Sequence, residues 1–450
     1  MRKFVIAALC GSVAGALVAT QLAGPLLAEE AKPETSVYEQ LDLFGDIFSR
    51  IRAQYVEEVD SQKLIEAAIN GMLTSLDPHS SYMPPEDFDD MQVQTRGEFG
   101  GLGIEVTQED GFVKVVSPME GTPADKAGIE AGDFITHVNG ESVQGLTLDQ
   151  AVDMMRGEVG SEIIVTVARE GVDEPFDVSI IRDTIKVTAV RSRVVGKTVV
   201  LKINTFNDQT TPGLKEGMEK SIKELGGMEN VDGFVVDLRN NPGGLLTEAI
   251  SVADSFLDKG EIVSTRGRNP EDGERFNATA GDDAKGKPIV VLINGGSASA
   301  SEIVSGALQD HHRAIVVGTK SFGKGSVQTV VPLRGDGAMR LTTARYYTPS
   351  GRSIQSLGVM PDIVVNQPPA KTPEELEAEA KLAEEESRMR TEADLRGAIS
   401  NDSMTEDEKR LLEEERAKVE ETAKLRDEDY QLAYAVDIIK GLAIGAAPTP

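Results

Sequence analysis

The chain has 450 residues, of which 40% are hydrophobic; this excludes a wholly disordered polymer and leaves room for roughly two or three domains with cores. It carries 46 Lys and Arg residues against 75 Asp and Glu residues, so its formal net charge is -29 at pH 7. Because this charge repels phosphate backbones and anionic lipid headgroups at long range, the composition argues against nucleic-acid binding.

Residues 1–28 predict an export segment. A basic start, Met1-Arg2-Lys3, precedes an uncharged apolar run that ends at Ala28, as in a secretory signal. Leu26-Leu27-Ala28 is a poor match to the A-x-A cleavage pattern, and the run is also long enough to span a bilayer uncleaved. The pattern favours cleavage over anchoring. The single cysteine, Cys10, lies in this segment, so a cleaved chain has no disulfide and depends on its core for stability.

Residues 36–96 predict an N-terminal helical region. Apolar residues recur at helical spacing in VYEQLDLFGDIFSRIRAQY and LIEAAINGMLTSL, and the prolines of LDPHSSYMPPEDF end the pattern. His79 in that loop has the chemistry of a ligand or a base. No partner stands near it in the sequence, so we interpret it as a surface or capping residue.

Short strands alternate with two brief helices over residues 97–183, which we predict to form a second domain. The stretch Gly101-Leu102-Gly103-Ile104 is too short for a dinucleotide-binding loop, because Val106 occupies the third glycine position and no long helix follows. Taken alone, these glycines indicate a turn or a bulge.

The order of the pieces in this domain is more specific than its glycines. GLGI, then ADKAGIEAGDFITHVNG, then a helix carrying Met154, Met155 and Arg156 resembles a bacterial PDZ domain. The resemblance implies that a peptide adds as a strand and that the GLGI amides hold its C-terminal carboxylate. It also suggests that Arg156 couples peptide capture to a catalytic site. A plain surface charge is the alternative for Arg156.

Strands and helices alternate through residues 184–368, which predicts an α/β domain with a largely parallel sheet. The last two strands flank the turn RGDG and predict an antiparallel hairpin. Residues 369–450 are rich in Glu, Ala, Lys and Arg, typical of a solvated helix or a flexible tail. The apolar spacing from Tyr430 to Ile439 predicts a last helix that docks on the chain's own core or on a partner.

Several serines crowd the junction between the strand KPIVVLIN and the helix SEIVSGALQDH. Strand-to-helix turns expose nucleophiles, but Ser299-Ala300-Ser301-Glu302 also fits a capping box in which Ser299 only satisfies a helix-end amide. The adjacent His311 and His312 have diverging side chains at the end of that helix. We interpret them as favourable helix C-terminal charges rather than as a catalytic base or metal ligands.

The stretch GTKSFGKGS, residues 318–326, matches the first part of a phosphate-binding loop. Gly325 stands where such a loop needs Ser or Thr, and SVQTVVPL alternates like a strand where a helix is required. This argues against a nucleotide site. A serine without a histidine can use a neutral lysine as its base, and Lys324 lies in a glycine-flanked turn.

From about Ser36 to Pro368 the chain resembles the C-terminal processing peptidases, also called tail-specific proteases, which are Ser-Lys enzymes with a PDZ domain. The motifs DLRNNPGGLL, NGGSASASEI and VGTKSFGKGSVQ occur in the expected order. The resemblance implies an α/β protease core of the crotonase/ClpP-like class, with an inserted PDZ domain and helical N- and C-terminal regions.

The same resemblance implies roles for individual residues. Ser299 is the implied nucleophile, Lys324 the base, and Gln328 completes the site. On a strand, positions 324 and 328 point to the same face, so the amide is expected to hold the amine. The amides of Ala300 and of Gly243 or Gly244 are the implied oxyanion hole. Burial must lower the lysine pKa for the base to be neutral.

The expected protein is an exported serine endopeptidase that recognises unstructured apolar C-terminal tails through its PDZ domain and needs no cofactor and no metal. The alternative is a non-catalytic PDZ-containing scaffold on a degenerate protease fold. Expected partners are proteins or peptides with free apolar C-termini, a second copy in a homodimer and an adaptor protein. The expected location is the periplasm, with an inner-membrane tether if the N-terminus stays uncleaved. The substrate, the role of residues 370–450 and the activity of the resting state stay open.

Overall fold

The computed structural model describes residues 36–109, 111–335, 337–368, 410 and 424–446. They divide into two compact units, residues 36–75 and the residues from 76 onwards. The predicted export segment and most of the charged stretch after residue 369 lie outside the described residues. Within the described ranges, no helix is long and apolar enough to cross a membrane.

The first unit contains two helices, as predicted: α1 (Val37–Gln54) and α2 (Ser61–Thr74). Ser36 and Glu39 form a reciprocal capping box at the start of α1, and the Asp60 carboxylate accepts amides at the start of α2. The apolar residues of α1, such as Phe44 and Ile47, are exposed.

The next part of the chain is built mainly of short antiparallel strands. Its elements are β1 (Ser81–Met83), α3 (Pro85–Arg96), β2 (Glu98–Gly101), β3 (Ile104–Glu109), β4 (Phe112–Pro118), α4 (Pro123–Lys126), β5 (Phe134–Val138), β6 (Glu141–Ser142), α5 (Leu148–Met155), β7 (Glu162–Ala168), β8 (Phe176–Ile181) and β9 (Asp183–Lys186).

The order β3-β4-β5-β7-β8, with β6 beside β5, makes an antiparallel sheet within the predicted second domain. Alternate residues of β7, Ile163, Val165 and Val167, are fully buried in its own hydrophobic core, because successive strand side chains face opposite sides. Strands β2 and β9 pair with each other. In the sequence, β2 comes before the strands of this sheet and β9 comes after them.

The predicted α/β domain follows. Its elements are β10 (Val190–Val195), β11 (Thr198–Ile203), α6 (Thr210–Glu224), β12 (Gly233–Asp237), α7 (Leu246–Asp254), β13 (Glu261–Arg266), β14 (Arg275–Asn277), β15 (Ile289–Ile293), α8 (Ala300–Asp310), β16 (Ile315–Gly318), β17 (Ser326–Pro332), β18 (Ala338–Tyr347), β19 (Ile363–Val364) and α9 (Tyr430–Ala446).

The largest core sheet has the order β10-β11-β12-β15-β16-β19 and is parallel except for β10, which confirms the predicted α/β architecture. Strands β12 and β15 are buried at every position, as expected for a parallel sheet covered on both faces. Helices α6, α7 and α8 cover one face, and α9 covers the other.

A second core sheet has the order β1-β18-β13-β14, with β17 also paired to β18. Strands β17 and β18 form the predicted antiparallel hairpin. Its register shifts between Val327 and Gln328, which marks a bulge in the ladder.

Helix α9 answers the question left open for the last apolar stretch, because it docks on the chain's own core. Leu432, Val436 and Ile439 are buried against the sheet, whereas Tyr430 is exposed. An ion pair fixes the start of the helix. The guanidinium of Arg239 donates to both oxygens of Asp429 at 2.7 Å and is itself nearly buried.

Removing one partner of this ion pair should destabilise the core. Burial alone would raise the pKa of Asp429, but hydrogen bonds from Arg239 and its charge lower it. We therefore expect Asp429→Asn to lower the free energy of unfolding by about 3 kcal/mol at pH 7, because a buried guanidinium loses a charged acceptor. Urea unfolding measures this change.

The lowered pKa also fixes the pH dependence of this effect. A carboxylate with a depressed folded-state pKa stabilises the fold above its unfolded value of 3.8, and this stabilisation is lost as pH falls through the folded value. The difference between wild type and Asp429→Asn should therefore shrink in acid. Asp437→Asn, which breaks the exposed pair with Arg426, is the control, and an equal effect there would contradict the prediction.

Candidate active site

Ser299 lies in the turn between β15 and α8 with a strained backbone. Its φ of 55° and ψ of -111° fall outside the regions that residues with a side chain favour, as at other strand-to-helix turns that expose a nucleophile. The flanking serines have structural roles. Buried Ser297 donates to the Leu238 carbonyl at 2.8 Å, and buried Ser301 donates to the Asn241 carbonyl at 3.0 Å. Ser299 is the partly exposed serine of the turn.

The glycines of the NPGG turn lie against Ser299. A Cβ atom added to Gly243 would lie 2.9 Å from the Ser299 Cβ and 3.1 Å from the Ala300 amide nitrogen, so this close approach requires glycine. The Gly243 amide donates to the Asn241 side chain at 2.9 Å. This hydrogen bond occupies one of the two amides considered for the oxyanion hole.

The Gly244 amide is the better placed of the two. Phe206 bonds to the Gly243 carbonyl and the Leu245 amide, so the intervening Gly244 amide faces away from Phe206. Ala300 begins α8, where the first amides of a helix have no intrahelical acceptor. Within the described part of the chain, neither the Gly244 amide nor the Ala300 amide donates a hydrogen bond. Both are free to bind a developing oxyanion.

The Glu302 carboxylate joins the serine turn to the lysine turn. Its side chain is fully buried on the first turn of α8. One oxygen accepts the amides of Ser299 at 2.8 Å and Lys324 at 2.9 Å. The other accepts the Gly323 amide at 2.7 Å and the Ser321 hydroxyl. The Glu302 half of a capping box is therefore present, and the same carboxylate also accepts the backbone amide of Lys324.

Lys324 is partly buried in the turn after β16. Burial lowers its pKa, and the positive charge of Arg340 on β18 lowers it further. Both effects favour the neutral amine that a base requires. A strand and not a helix follows this turn, so the structure contains no phosphate-binding loop here.

Gln328 is held by hydroxyl groups on the hairpin. Its Nε2 donates to Ser326 Oγ at 2.9 Å and to Thr342 Oγ1 at 3.4 Å. The strand argument that placed positions 324 and 328 on one face assumed a strand that includes Lys324, but β17 begins at Ser326, after the lysine. Within β17, Ser326 and Gln328 do lie on the same face.

The histidines separate into two groups. His311 caps the end of α8 and its Nε2 contacts the Glu261 carbonyl at 2.7 Å, in agreement with a structural role. His79, interpreted as a surface or capping residue, is partly buried. Its pKa is lowered by burial and by the positive charges of Lys324 and Arg340, against the opposing effect of Asp77. Lys324 and Arg340 are far away in sequence, so no local pattern could identify them.

The GLGI loop of the PDZ domain is fixed at one end of an apolar cleft. Gly103 has a φ of 77°, and a Cβ there would lie 2.4 Å from the Thr122 Cβ. The Leu102 and Gly103 carbonyls accept the amides of Ala124 and Met119. The cleft runs between β3 and α5 and is lined by Leu102, Ile104, Val106, Val152 and Met155 among others.

Arg156 ends helix α5 beside this cleft and is more than an isolated surface charge. Its guanidinium lies 3.7 Å from Asp90 of α3 and 5.1 Å from the centre of the Phe99 ring on β2. Its Nε is buried without a hydrogen-bond partner among the described residues. Arg156 therefore links helix α5 to elements outside the sheet that contains β3 to β8.

Three family models match the chain: peptidase family S41 over residues 197–365, a PDZ domain over residues 114–169, and the N-terminal domain of the activating protease CtpB over residues 16–87. A carboxy-terminal-processing protease of Bartonella bacilliformis is 57% identical over 356 residues, which cover 79% of this chain and 82% of the relative. A probable CtpA-like serine protease of Staphylococcus aureus is 39% identical over 73% of this chain and 65% of the relative.

Among solved structures, the photosystem II D1 C-terminal processing protease is similar to this chain. It is 30% identical, with a TM-score of 0.42, over 73% of this chain and 93% of that protein.

The environment of Lys324 predicts a stability gain when its amine is removed. Because its folded-state pKa is lowered, the charged lysine destabilises the fold below that pKa, and the cost disappears as pH rises towards 10.5. We expect Lys324→Met to raise the melting temperature at pH 7, by about 2 to 4 °C for each kcal/mol recovered.

Scanning calorimetry at pH 7 and near pH 10.5 measures this gain and its disappearance. The exposed Lys320 lies in the same turn, so Lys320→Met is the matched control and should leave the melting temperature unchanged. An unchanged or lower melting temperature for Lys324→Met at pH 7 would contradict the prediction.

The Glu302 carboxylate predicts a large cost for an isosteric amide. The two oxygens of Glu302 accept hydrogen bonds from four donors. Glu302→Gln keeps only one acceptor oxygen, and its NH₂ group faces donors that it cannot satisfy. We expect a loss of roughly 3 kcal/mol or more, because buried donors are left unsatisfied. Urea unfolding measures the loss, with the exposed Glu428→Gln as the control. A loss below about 1 kcal/mol would show that the carboxylate is dispensable.

Proposed function

The chain belongs to peptidase family S41, in the C-terminal processing serine proteases with a PDZ domain, and we propose that it is an exported endopeptidase in which Ser299 and Lys324 cleave proteins with unstructured apolar C-terminal tails. The observation that carries this proposal is the buried Glu302 carboxylate, which fixes the backbones of both residues. A lowered lysine pKa supports it, because the base must be neutral.

In the proposed reaction, Lys324 first accepts a proton from Ser299 and then donates it to the leaving group. The neutral Lys324 amine takes the proton of the Ser299 hydroxyl as its oxygen attacks the scissile carbonyl. The amides of Gly244 and Ala300 stabilise the oxyanion of the tetrahedral intermediate. The lysine ammonium then gives its proton to the leaving amine, and water hydrolyses the acyl-enzyme by the same steps in turn.

The PDZ domain supplies the recognition of a tail in this proposal. A peptide that adds as a strand beside β3 would lay alternate apolar side chains in the cleft against α5, with its terminal carboxylate on the GLGI amides. Arg156 contacts Asp90 and Phe99, and this position supports its proposed coupling of an occupied cleft to the protease core.

Export to the periplasm is part of the proposal and rests on the signal-like composition of residues 1–28. Pairing with a second copy, an adaptor protein and a membrane tether also stay proposals. Crosslinking of the protein with and without residues 370–450 tests whether the tail is needed for pairing.

The cleavage proposal is tested with an unstructured peptide that has an apolar free C-terminus and with its amidated twin. Each is incubated with wild type, Ser299→Ala and Lys324→Ala, and the products are identified by mass spectrometry. We expect cleavage by wild type alone, weaker for the amidated peptide. The variants should be silent, because loss of a nucleophile that acts with its base can cost ~10⁶ in rate.

Three outcomes would redirect the proposal. Cleavage by Lys324→Ala at the wild-type rate would remove the lysine from the mechanism. Binding of both peptides without cleavage by wild type would favour the scaffold alternative. Equal cleavage of the free and amidated peptides would support the protease activity but would contradict recognition of the terminal carboxylate.

A further inference from the structure

A loop that sequence analysis left without a function lies against the active-site hairpin. We call residues 77–80 the Asp77 loop. It precedes β1, whose pairing with β18 runs from Met83–Ala338 to Ser81–Arg340. Thr342 lies just beyond the end of this ladder. The loop therefore lies along the edge of β18 at the point where β1 no longer pairs with it.

Two side chains of the Asp77 loop accept hydrogen bonds from Thr342, one from its hydroxyl and one from its backbone amide. The Thr342 hydroxyl lies 3.1 Å from Asp77 Oδ1, and the Thr342 amide donates to Ser80 Oγ at 3.1 Å. Asp77 also accepts the amides of His79 and Ser80 and the Ser80 hydroxyl. The carboxylate thus ties the loop to itself and to β18.

Asp77 stays ionised at neutral pH. Burial alone would raise its pKa, but hydrogen bonds from Ser80, His79 and Thr342 outweigh burial and lower it. An ionised carboxylate can only accept hydrogen bonds. The shared hydrogen between Asp77 and Thr342 must therefore come from the Thr342 hydroxyl.

This direction decides how the amide of Gln328 is oriented. A hydroxyl has a single hydrogen, so once it donates to Asp77 only its lone pairs face Gln328. The Gln328 atom that lies 3.4 Å from Thr342 Oγ1 must then be the NH₂ nitrogen and not the oxygen. The same nitrogen donates to Ser326 Oγ at 2.9 Å. The amide oxygen is left for a different donor.

Side-chain contacts, and not the strand, determine where the two ends of this amide point. The ladder skips Thr343 on β18, so that Thr342 pairs with Gln328. The strand directs the Gln328 side chain to the face of Ser326, but rotation about its last side-chain bond is broad and exchanges the positions of the nitrogen and the oxygen.

We propose that Asp77 and Thr342 are positioning residues of the active site, which orient the Gln328 amide so that its carbonyl oxygen is presented to the amine of Lys324. The proposal rests on the proposed function, in which Lys324 is the base. A carbonyl oxygen accepts an N–H of the neutral amine and leaves the amine's lone pair for the Ser299 proton. A reversed amide would donate to that lone pair and compete with the serine for it.

The Thr342 hydroxyl can be removed with little change of shape. Thr342→Val keeps the branched side chain on β18, and Thr342→Ser keeps the hydroxyl without the methyl group. Thr343→Val is the matched control, because the Thr343 hydroxyl bonds to Thr329 on the same hairpin and, among the described residues, forms no hydrogen bond with Asp77 or Gln328. Steady-state cleavage of the free-tail peptide is measured for each protein beside Lys324→Ala.

We expect Thr342→Val to lower kcat by about 10- to 100-fold with KM changed less than about twofold, because positioning of the base is lost and peptide capture is not. Thr342→Ser and Thr343→Val should stay within about threefold of wild type. Each rate is divided by the folded fraction from circular dichroism at the assay temperature, and Thr342→Ala serves as a second hydroxyl-free variant if Thr342→Val does not fold.

A wild-type kcat in the hydroxyl-free variant overturns the inference, as does an equal loss in Thr343→Val or in Thr342→Ser. These outcomes are separate from a failure of the proposed function, which shows as cleavage by Lys324→Ala at the wild-type rate. A fall in kcat that only Thr342→Ser rescues supports the positioning role.

Discussion

The arrangement of this site depends on one buried carboxylate, that of Glu302. Isolated charge in a protein interior is costly, and it is tolerated where hydrogen bonds replace the lost water. Glu302 meets that condition with donors from two segments more than twenty residues apart in sequence. Its position on the first turn of α8 adds the favourable end of the helix dipole. The turn that contains Ser299 and the turn that contains Lys324 are consequently held next to each other by the same carboxylate.

The parallel sheet explains why these segments meet at all. Strands β12, β15 and β16 are neighbours, and parallel strands end at the same edge. The glycine turn follows β12, Ser299 follows β15 and Lys324 follows β16. Ligand sites of α/β sheets lie at this edge for the same reason. The hairpin β17–β18 belongs to a second sheet and adds Arg340, whose positive charge lowers the pKa of Lys324.

Local patterns predicted the helices, the parallel sheet and the hairpin, because burial on one or two faces determines the spacing of apolar residues. The resemblance to a family, and not spacing, selected Ser299 from among several serines and assigned Lys324. Long-range relations were beyond reach. The strand assumed to run from Lys324 to Gln328 begins only at Ser326, and Asp77 meets Thr342 across more than 260 residues of sequence. No periodicity reports such a contact.

Helix α9 has a consequence for how the chain can fold. It covers the face of the sheet formed by Val200, Val235, Val290, Leu292 and Val317, and it follows every strand of that sheet in the chain. Among the described residues, most of those that cover this face belong to residues 430–446 and are made last. Exposed apolar surface on an incomplete chain promotes aggregation. The order of elements therefore makes closure of the core a late event, after every strand of this sheet has been made.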